Sequence, residues 1–281
     1  MFLHQYTIKN KSQKRETYYI AILGDTHYGT KSFDKRQFLE MIQWIKKRKN
    51  VYWIGLGDYV EAITPRDLRR FAASNVCPDF AIDDLEEIAQ RQIDDFVKMT
   101  RPIASRCIGL ADGNHEFTYL KEHDRNITKA ICKALKVKHL CWTSITRLKF
   151  TRGNKESRVI NVLTEHSNVA GRKKGNKVNR IEDRLNDWHD IDIIIWGHSH
   201  DKVATSKTQL YMPRRGRLCL KARKIICVIC PSFYKTYEVG TTSYGERAGY
   251  PPVTTGMALI EIRPFVGNKN EGARCEMHVS Q

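Results

Sequence analysis

No run of apolar residues in this chain approaches the ~18 that a membrane-spanning helix needs, so no transmembrane helix and no membrane insertion are expected. The stretch from Met1 to Arg15 turns polar and basic early and lacks the apolar region of a secretory signal, so the expected location is intracellular, in the cytoplasm. Cysteine is sparse: 8 residues in 281 do not make a disulfide scaffold. The one suggestive pair, Cys227 and Cys230, lies in an apolar run from Ile225 to Cys230 that reads as a strand. Residues at i and i+3 on a strand point to opposite faces, so these thiols are expected to pack rather than to share an ion. Internal repeats, low-complexity tracts and an obvious linker are also lacking. The reading is one domain over residues 1–281, with a motif-bearing core at about 17–262. Acid is the last shortage: 31 Asp and Glu stand against 48 Lys and Arg, a net charge of +17. That excess favours polyanionic partners, nucleic acid first and an anionic membrane surface a distant second. A solvated basic surface would give the same count.

What is present is 41% hydrophobic residues, enough for a substantial core. Tyr18 to Leu23 reads as a first central strand, and Ser32 can cap a helix with Phe38, Ile42 and Ile45 on one face. Val51 to Leu56 is a second strand, followed by a loop holding Pro65, Arg66, Arg69, Arg70 and Pro78. Asp83 and Glu86 form a capping box for a helix striped by Leu85, Ile88, Ala89, Ile93, Phe96 and Val97. Cys107 to Leu110 is a third strand, and Ile127, Ala130, Ile131 and Ala134 mark a short helix. Strands then become adjacent, at Ser144 to Phe150 and Arg158 to Leu163 around a turn at Gly153. A helix from about Asn176 carries Val178, Ile181, Leu185 and Trp188 on one side. Ile191 to Trp196, Lys202 to Tyr211, Arg223 to Cys230 and Met257 to Ile262 complete the strands. Alternation followed by a strand-rich half predicts an α/β fold of two packed β-sheets flanked by helices.

Five polar clusters each follow an apolar run: Gly24-Asp25-Thr26-His27, Gly57-Asp58-Tyr59-Val60-Glu61, Gly113-Asn114-His115-Glu116, Glu165-His166 and Gly197-His198-Ser199-His200. In open α/β sheets, ligand groups gather at the carboxyl ends of strands, and all five clusters lie there. Their donors are carboxylates, imidazoles and one amide, the set that a two-metal hydrolytic centre needs, with a carboxylate to bridge. Such oxygen and nitrogen donors suit manganese, iron, zinc or nickel better than calcium or magnesium. Asp25 and His27, like His198 and His200, can converge on one ion where the chain leaves the flat strand, and Asp58 is the natural bridge. Any one of these residues alone would more often be packed or solvated than a ligand. The ordered set reverses that reading.

The clusters resemble the calcineurin-like metallophosphoesterase family, whose pattern is D-x-H, GD-x-x-D, GNH-D/E, H and GH-x-H, in that order from residue 24 to residue 200. The resemblance implies a four-layer αββα sandwich and a dinuclear centre; manganese is the metal expected there, with iron, zinc or nickel as alternatives. Asp25, His27 and His200 would hold one ion and Asn114, His166 and His198 the other, with Asp58 between them. It further implies that His115 faces the scissile phosphate and assists the leaving oxygen, while a metal-bridging hydroxide attacks phosphorus in line. Two departures stand out. Glu61 replaces the usual second aspartate, and Glu165-His166 replaces the commoner Gly-His. Pro231-Ser232 partly resembles a turn of the family's small phosphodiesterases.

The family's range of phosphate esters leaves the substrate open. Local charge points further. Lys202, Lys207, Arg214, Arg215, Arg217, Lys221, Arg223 and Lys224 crowd one stretch without an acidic residue. Arg172, Lys173, Lys174, Lys177 and Arg180 follow His166, and Arg66, Arg69 and Arg70 follow Asp58. Arg66, Arg69, Arg70, Arg172, Lys173 and Lys174 are the candidate substrate-binding residues, with Phe233, Tyr234, Tyr237 and Tyr244 offering stacking surfaces. The expected activity is phosphodiester hydrolysis in DNA, RNA or a nucleotide. A phosphomonoesterase, or a binding module that kept the fold and lost turnover, are the alternatives.

Overall fold

Strands covered on both faces must be apolar almost throughout, and the Ile- and Val-rich runs of this chain form such strands. In a computed structural model, which describes residues 1–10, 16–64, 75–80, 87–153, 156–169, 171–214, 218–266 and 274–280, the elements run as follows. They are β1 (Phe2–Asn10), β2 (Tyr18–Leu23), α1 (Lys35–Lys46), β3 (Val51–Gly55), α2 (Ile88–Thr100), β4 (Cys107–Ala111), α3 (Asn114–His123), α4 (Ile127–Leu135) and β5 (His139–Cys141). The second half comprises β6 (Thr143–Arg152), β7 (Glu156–Glu165), α5 (Lys174–Arg184), β8 (Ile193–Trp196), β9 (Val203–Tyr211), β10 (Lys221–Ile229), α6 (Tyr244–Arg247), β11 (Ala258–Val266) and β12 (Arg274–Ser280).

Two mixed six-stranded sheets result, ordered β12-β11-β2-β3-β4-β5 and β1-β6-β7-β8-β10-β9. In the first, β2, β3, β4 and β5 are mutually parallel. In the second, β7, β8 and β10 are parallel. Ile20, Ile22, Ile54, Ile108 and Ile260 of the first sheet bury against Leu148, Phe150, Val162, Ile193, Ile195 and Val228 of the second. The outer face of the first sheet packs on Phe38, Ile42 and Ile45 of α1, Ile93 and Phe96 of α2 and Ile131 of α4. The outer face of the second packs Leu163, Ile194, Cys227 and Ile229 on Ile181 of α5 and Leu185 just after it. The αββα sandwich is thus the observed fold. Cys227 lies in that outer layer and Cys230 in the inter-sheet core, which is why the two thiols cannot meet. Among the described residues, no helix is long and apolar enough to cross a membrane.

The structure corrects several sequence expectations. The basic N-terminus contains β1, a strand paired in parallel with β6, and β12 extends the first sheet beyond β11. Helix α1 is capped by Asp34, whose Oδ1 accepts the Gln37 N–H at 3.1 Å, rather than by Ser32, which is buried. The buried side of α4 is Ile127, Thr128, Ile131, Cys132 and Leu135, while Ala134 faces solvent. Phe233 has no exposed ring face: it is fully buried against Phe38. The capping box at Asp83 and Glu86 lies outside the described residues, as do Leu85, Arg66, Arg69, Arg70, Arg215 and Arg217.

Candidate metal centre

The polar clusters follow the carboxyl ends of β2, β3, β4, β7 and β8, and those after β2, β3 and β8 turn through left-handed backbone. Asp25, His27, Asp58, His198 and His200 all have positive φ, between 47° and 69°. Left-handed backbone is uncommon for residues other than glycine, and such strain persists where surrounding structure enforces it. Here the enforcement is a backbone ladder: Asp25 N–H donates to Gly57 O at 3.0 Å and His27 N–H to Asp58 O at 2.9 Å. Gly57 and Gly113 let these turns touch. A Cβ on Gly57 would lie 2.5 Å from Gly113 backbone, and one on Gly113 would lie 2.2 Å from Asp58 N and Oδ1.

Gly113 caps α3, so Asn114 and His115 sit in the first turn of a helix rather than in a loop. Glu116, one position further, was legible only as part of its cluster. Its buried carboxylate accepts the N–H groups of Asp58 at 2.9 Å, Tyr59 at 2.7 Å and Gly113 at 3.1 Å. It therefore fastens the Asp58 turn to the helix that carries Asn114 and His115.

The structure brings six of the seven expected donors together in overlapping groups, and the seventh, Asn114, joins them through His166. Asp25, His27 and His200 form one and Asp58, His166 and His198 another, while Asp58 also groups with His27 and His115. His200 Nε2 is 3.3 Å from Asp25 Oδ1 and 3.2 Å from His27 Nε2. Asn114 Oδ1 is 2.8 Å from His166 Nε2. Asp58 Oδ1 accepts the His115 N–H at 2.9 Å. Its Oδ2 is buried without a hydrogen bond, 3.4 Å from His166 Nε2 and 3.8 Å from His27 Nε2. A buried carboxylate oxygen without a partner is costly, and a cation would satisfy it. The donor set and this orphaned oxygen therefore fit two divalent ions sharing Asp58.

Outer contacts aim the imidazoles. His166 Nδ1 donates to Leu56 O at 2.7 Å, leaving Nε2 as the donor atom toward the centre. His27 Nδ1 is 3.0 Å from Glu61 Oε2, so the longer arm of Glu61 reaches this imidazole. His115 Nδ1 donates to Glu61 O at 2.8 Å, which leaves its Nε2 uncommitted. Such outer partners fix the tautomer and orientation of ligating histidines.

Charges in the metal-free centre compensate one another. Burial pushes the Asp58 carboxyl up, but the neighbouring His166 and His115 imidazoles outweigh it and hold its pKa well below the usual carboxylate range. The same contest, against His200 and His166, leaves Asp25 lowered, and against His115 and His27 leaves Glu61 lowered. Burial opposes charge on His166, yet Asp58, Asp25 and the Leu56 carbonyl raise it to about 9. His115 is raised, burial being overcome by Glu61 and Asp58. His198 is lowered by burial and by His166. Glu116 rises to about 7 through burial and the Asp58 charge. Protons on imidazoles thus supply positive charge beside the ionised carboxylates.

His27, Asp58, Asn114, His115, His198 and His200 form one side of a cavity of about 910 Å³. Gly171 and Lys177 line it, while Arg172, Lys173 and Lys174 lie exposed between them. Arg172 donates to Ala248 O at 2.8 Å, and Lys174 is 3.9 Å from Asp201. Lys177 is buried and ties Asp201 and Ser199 O, bracing the His198–His200 turn. Arg223 pairs with Asp192 at 3.1 Å, on the rim of the second sheet.

Residues 18–202, more than half of the chain, match the sequence profile of the calcineurin-like phosphoesterases. No curated protein gives a significant match. Among solved structures, a Streptococcus pneumoniae protein described as a predicted phosphoesterase is 10% identical over 94% of this chain and 99% of its own, with a TM-score of 0.36. GAP50 of the Plasmodium inner membrane complex is 9% identical over 93% and 88%, with a TM-score of 0.46. The Haemophilus influenzae NAD nucleotidase is 11% identical over 95% of this chain and 49% of its own, with a TM-score of 0.39.

Proposed function

Because the chain belongs to the calcineurin-like phosphoesterase family of two-metal hydrolases, we propose that it hydrolyses phosphodiester bonds of nucleic acid or a nucleotide at the Asp58 centre. The observation that carries the reading is Asp58 itself, one oxygen held by the His115 N–H and the other buried without a hydrogen bond, facing the His166 and His27 imidazoles. Asp25, His27 and His200 would hold one ion and Asn114, His166 and His198 the other, with Asp58 available to both. Manganese is the proposed metal, and the same donors accept iron, zinc or nickel. Bound there, the ions would polarise the phosphoryl oxygens and lower the pKa of water.

The chain's own residues orient the reaction. Glu61 sets His27 through its carboxylate and His115 through its carbonyl. With Nδ1 so engaged, His115 presents Nε2 as the atom that would carry a proton to the leaving oxygen. Glu116 keeps the Asp58 turn against α3. Arg172, Lys173 and Lys174 beside the cavity, with Arg66, Arg69 and Arg70 after Asp58 in sequence, are the proposed contacts to substrate phosphates. The net charge of +17 supports a polyanionic substrate.

The test is manganese-dependent cleavage of end-labelled single- and double-stranded DNA, with Asp58→Asn as control. Degradation by the wild type alone supports a nuclease, and the product ladder separates exonuclease from endonuclease action. Intact DNA, with metal demonstrably bound, removes the nuclease reading and leaves small phosphodiesters or monoesters.

A further inference from the structure

The cavity beside the donors is larger than a phosphate requires, and its far wall differs in character. Tyr234 packs its ring against His27, with centroids 5.4 Å apart, and against His200 at 6.0 Å. Its hydroxyl accepts the Tyr244 N–H at 3.1 Å. The Tyr244 ring meets the Tyr250 ring at 6.2 Å, inclined by 61°. Tyr244, Tyr250 and Arg247 all line the cavity. The two rings are 63% and 37% exposed, so neither face is consumed by the core. This wall is tied together. Ser243 Oγ accepts the Glu246 N–H at 3.0 Å and donates to Thr236 O at 2.5 Å. Tyr237 donates to Tyr250 O at 2.9 Å, and Arg172 anchors Ala248.

From this juxtaposition we infer that Tyr244, Tyr250 and Arg247 form a nucleobase subsite, one tyrosine side chain away from the metal donors. The inference rests on the Asp58 centre being where the substrate phosphate binds, and it names what the rest of the substrate is. An open tyrosine face binds any planar ring, and Arg247 on the same cavity wall supplies positive charge for a phosphate-bearing ligand. A ring joined by a short arm to a phosphate is a nucleotide unit. A phosphorylated serine or threonine side chain has nothing to place against this wall. Tyr234 fixes the spacing, because it touches the donors with its ring and Tyr244 with its hydroxyl. Tyr244 and Tyr250 are therefore specificity-determining residues, selecting substrate without taking part in bond cleavage. A free nucleotide and a single strand offer the same chemistry.

The experiment measures binding by titration calorimetry to the manganese-loaded protein, with thymidine 5′-monophosphate, methyl phosphate and a short oligothymidylate as probes. The nucleotide is expected to bind at least about ten-fold more tightly than methyl phosphate, the gain of one stacked base. Tyr244→Ala should remove most of that advantage while leaving methyl phosphate unchanged, and Tyr244→Phe should keep it. Because Tyr244 is exposed, its truncation removes no core contact, and an unchanged melting temperature checks this. An equal loss for oligothymidylate assigns the base to a strand, and a loss confined to the mononucleotide assigns it to a free nucleotide; both support the subsite. Equal wild-type affinities for nucleotide and methyl phosphate overturn it, as does a Tyr244→Ala variant that keeps the ratio or weakens both ligands alike. Failure of every diester to be cleaved would instead count against the proposed reaction, since these binding ratios do not depend on turnover.

Discussion

Asp58 is held at one oxygen by a helix N-terminus and left unsatisfied at the other, so it is the residue whose change should matter most. Asp58→Asn keeps the shape and removes the charge, and is expected to lower phosphoesterase activity beyond the ~10–100-fold typical of outer-shell changes, with loss of bound metal by elemental analysis. His115→Ala separates differently. It should lower kcat by roughly 10²–10⁴-fold, the usual worth of a positioned acid or base, while the metal content stays at the wild-type level. Activity unchanged by that substitution would remove the assigned role. The pH dependence of metal uptake follows from His166. Its pKa is raised from 6.5 to about 9 in the metal-free protein, so this contribution to stability is present below pH 6.5 and lost as pH rises through about 9. A bound cation needs the neutral imidazole, so apparent metal affinity should rise with pH over the same window. Calorimetry at pH 7 in buffers of different ionisation enthalpy should register proton release on binding, and its absence would contradict the charge assignment.

At the scale of elements, the centre depends on two turns pressed against each other through Gly57 and Gly113. Gly113→Ala would place a methyl group 2.2 Å from Asp58 N and Oδ1, a backbone clash that no side-chain rotation relieves. A cost of about 1–3 kcal/mol is expected for such overpacking, read as a lower denaturation midpoint together with weaker metal binding. An alanine variant with wild-type behaviour in both would mean that the turns are not rigidly coupled. The same elements show what could be read from the chain. The central strands and the polar clusters after them were legible because β2, β3, β4 and β8 are nearly all apolar and end abruptly in charge. Strand β1 was not, although Phe2, His4, Tyr6 and Ile8 alternate inward. It is an edge strand with a polar outer face, and only its distant partner β6 makes it a strand. Phe233 looked like a stacking surface because its neighbours Tyr234 and Tyr237 are tyrosines, and only tertiary packing against Phe38 places it inside. The roles of Glu116 and Glu61 were hidden for a related reason. Each acts on a turn or ring that approaches it only in the fold.

Across the whole molecule, the seven donors divide between the sheets. Asp25, His27, Asp58 and Asn114 follow strands of one sheet, and His166, His198 and His200 follow strands of the other. The protein already links the two at this edge, through His166 Nδ1 to Leu56 O at 2.7 Å and His198 N to Asp25 Oδ2 at 3.0 Å. Ions bound by the proposed ligands would add cross-links to these hydrogen bonds and to the apolar packing between the layers, and they would bind only the folded chain. Metal at about 100 times its dissociation constant should then stabilise the fold by about 2.7 kcal/mol per independent site. For a chain of this size, that corresponds to a rise in melting temperature of about 5–10 °C. Thermal unfolding with excess manganese and with a chelator measures the shift directly, and Asp58→Asn should reduce it. A wild-type melting temperature indifferent to both would mean that the donors do not bind metal in the folded state. A shift retained in full by Asp58→Asn would place the stabilising ion elsewhere than between the sheets.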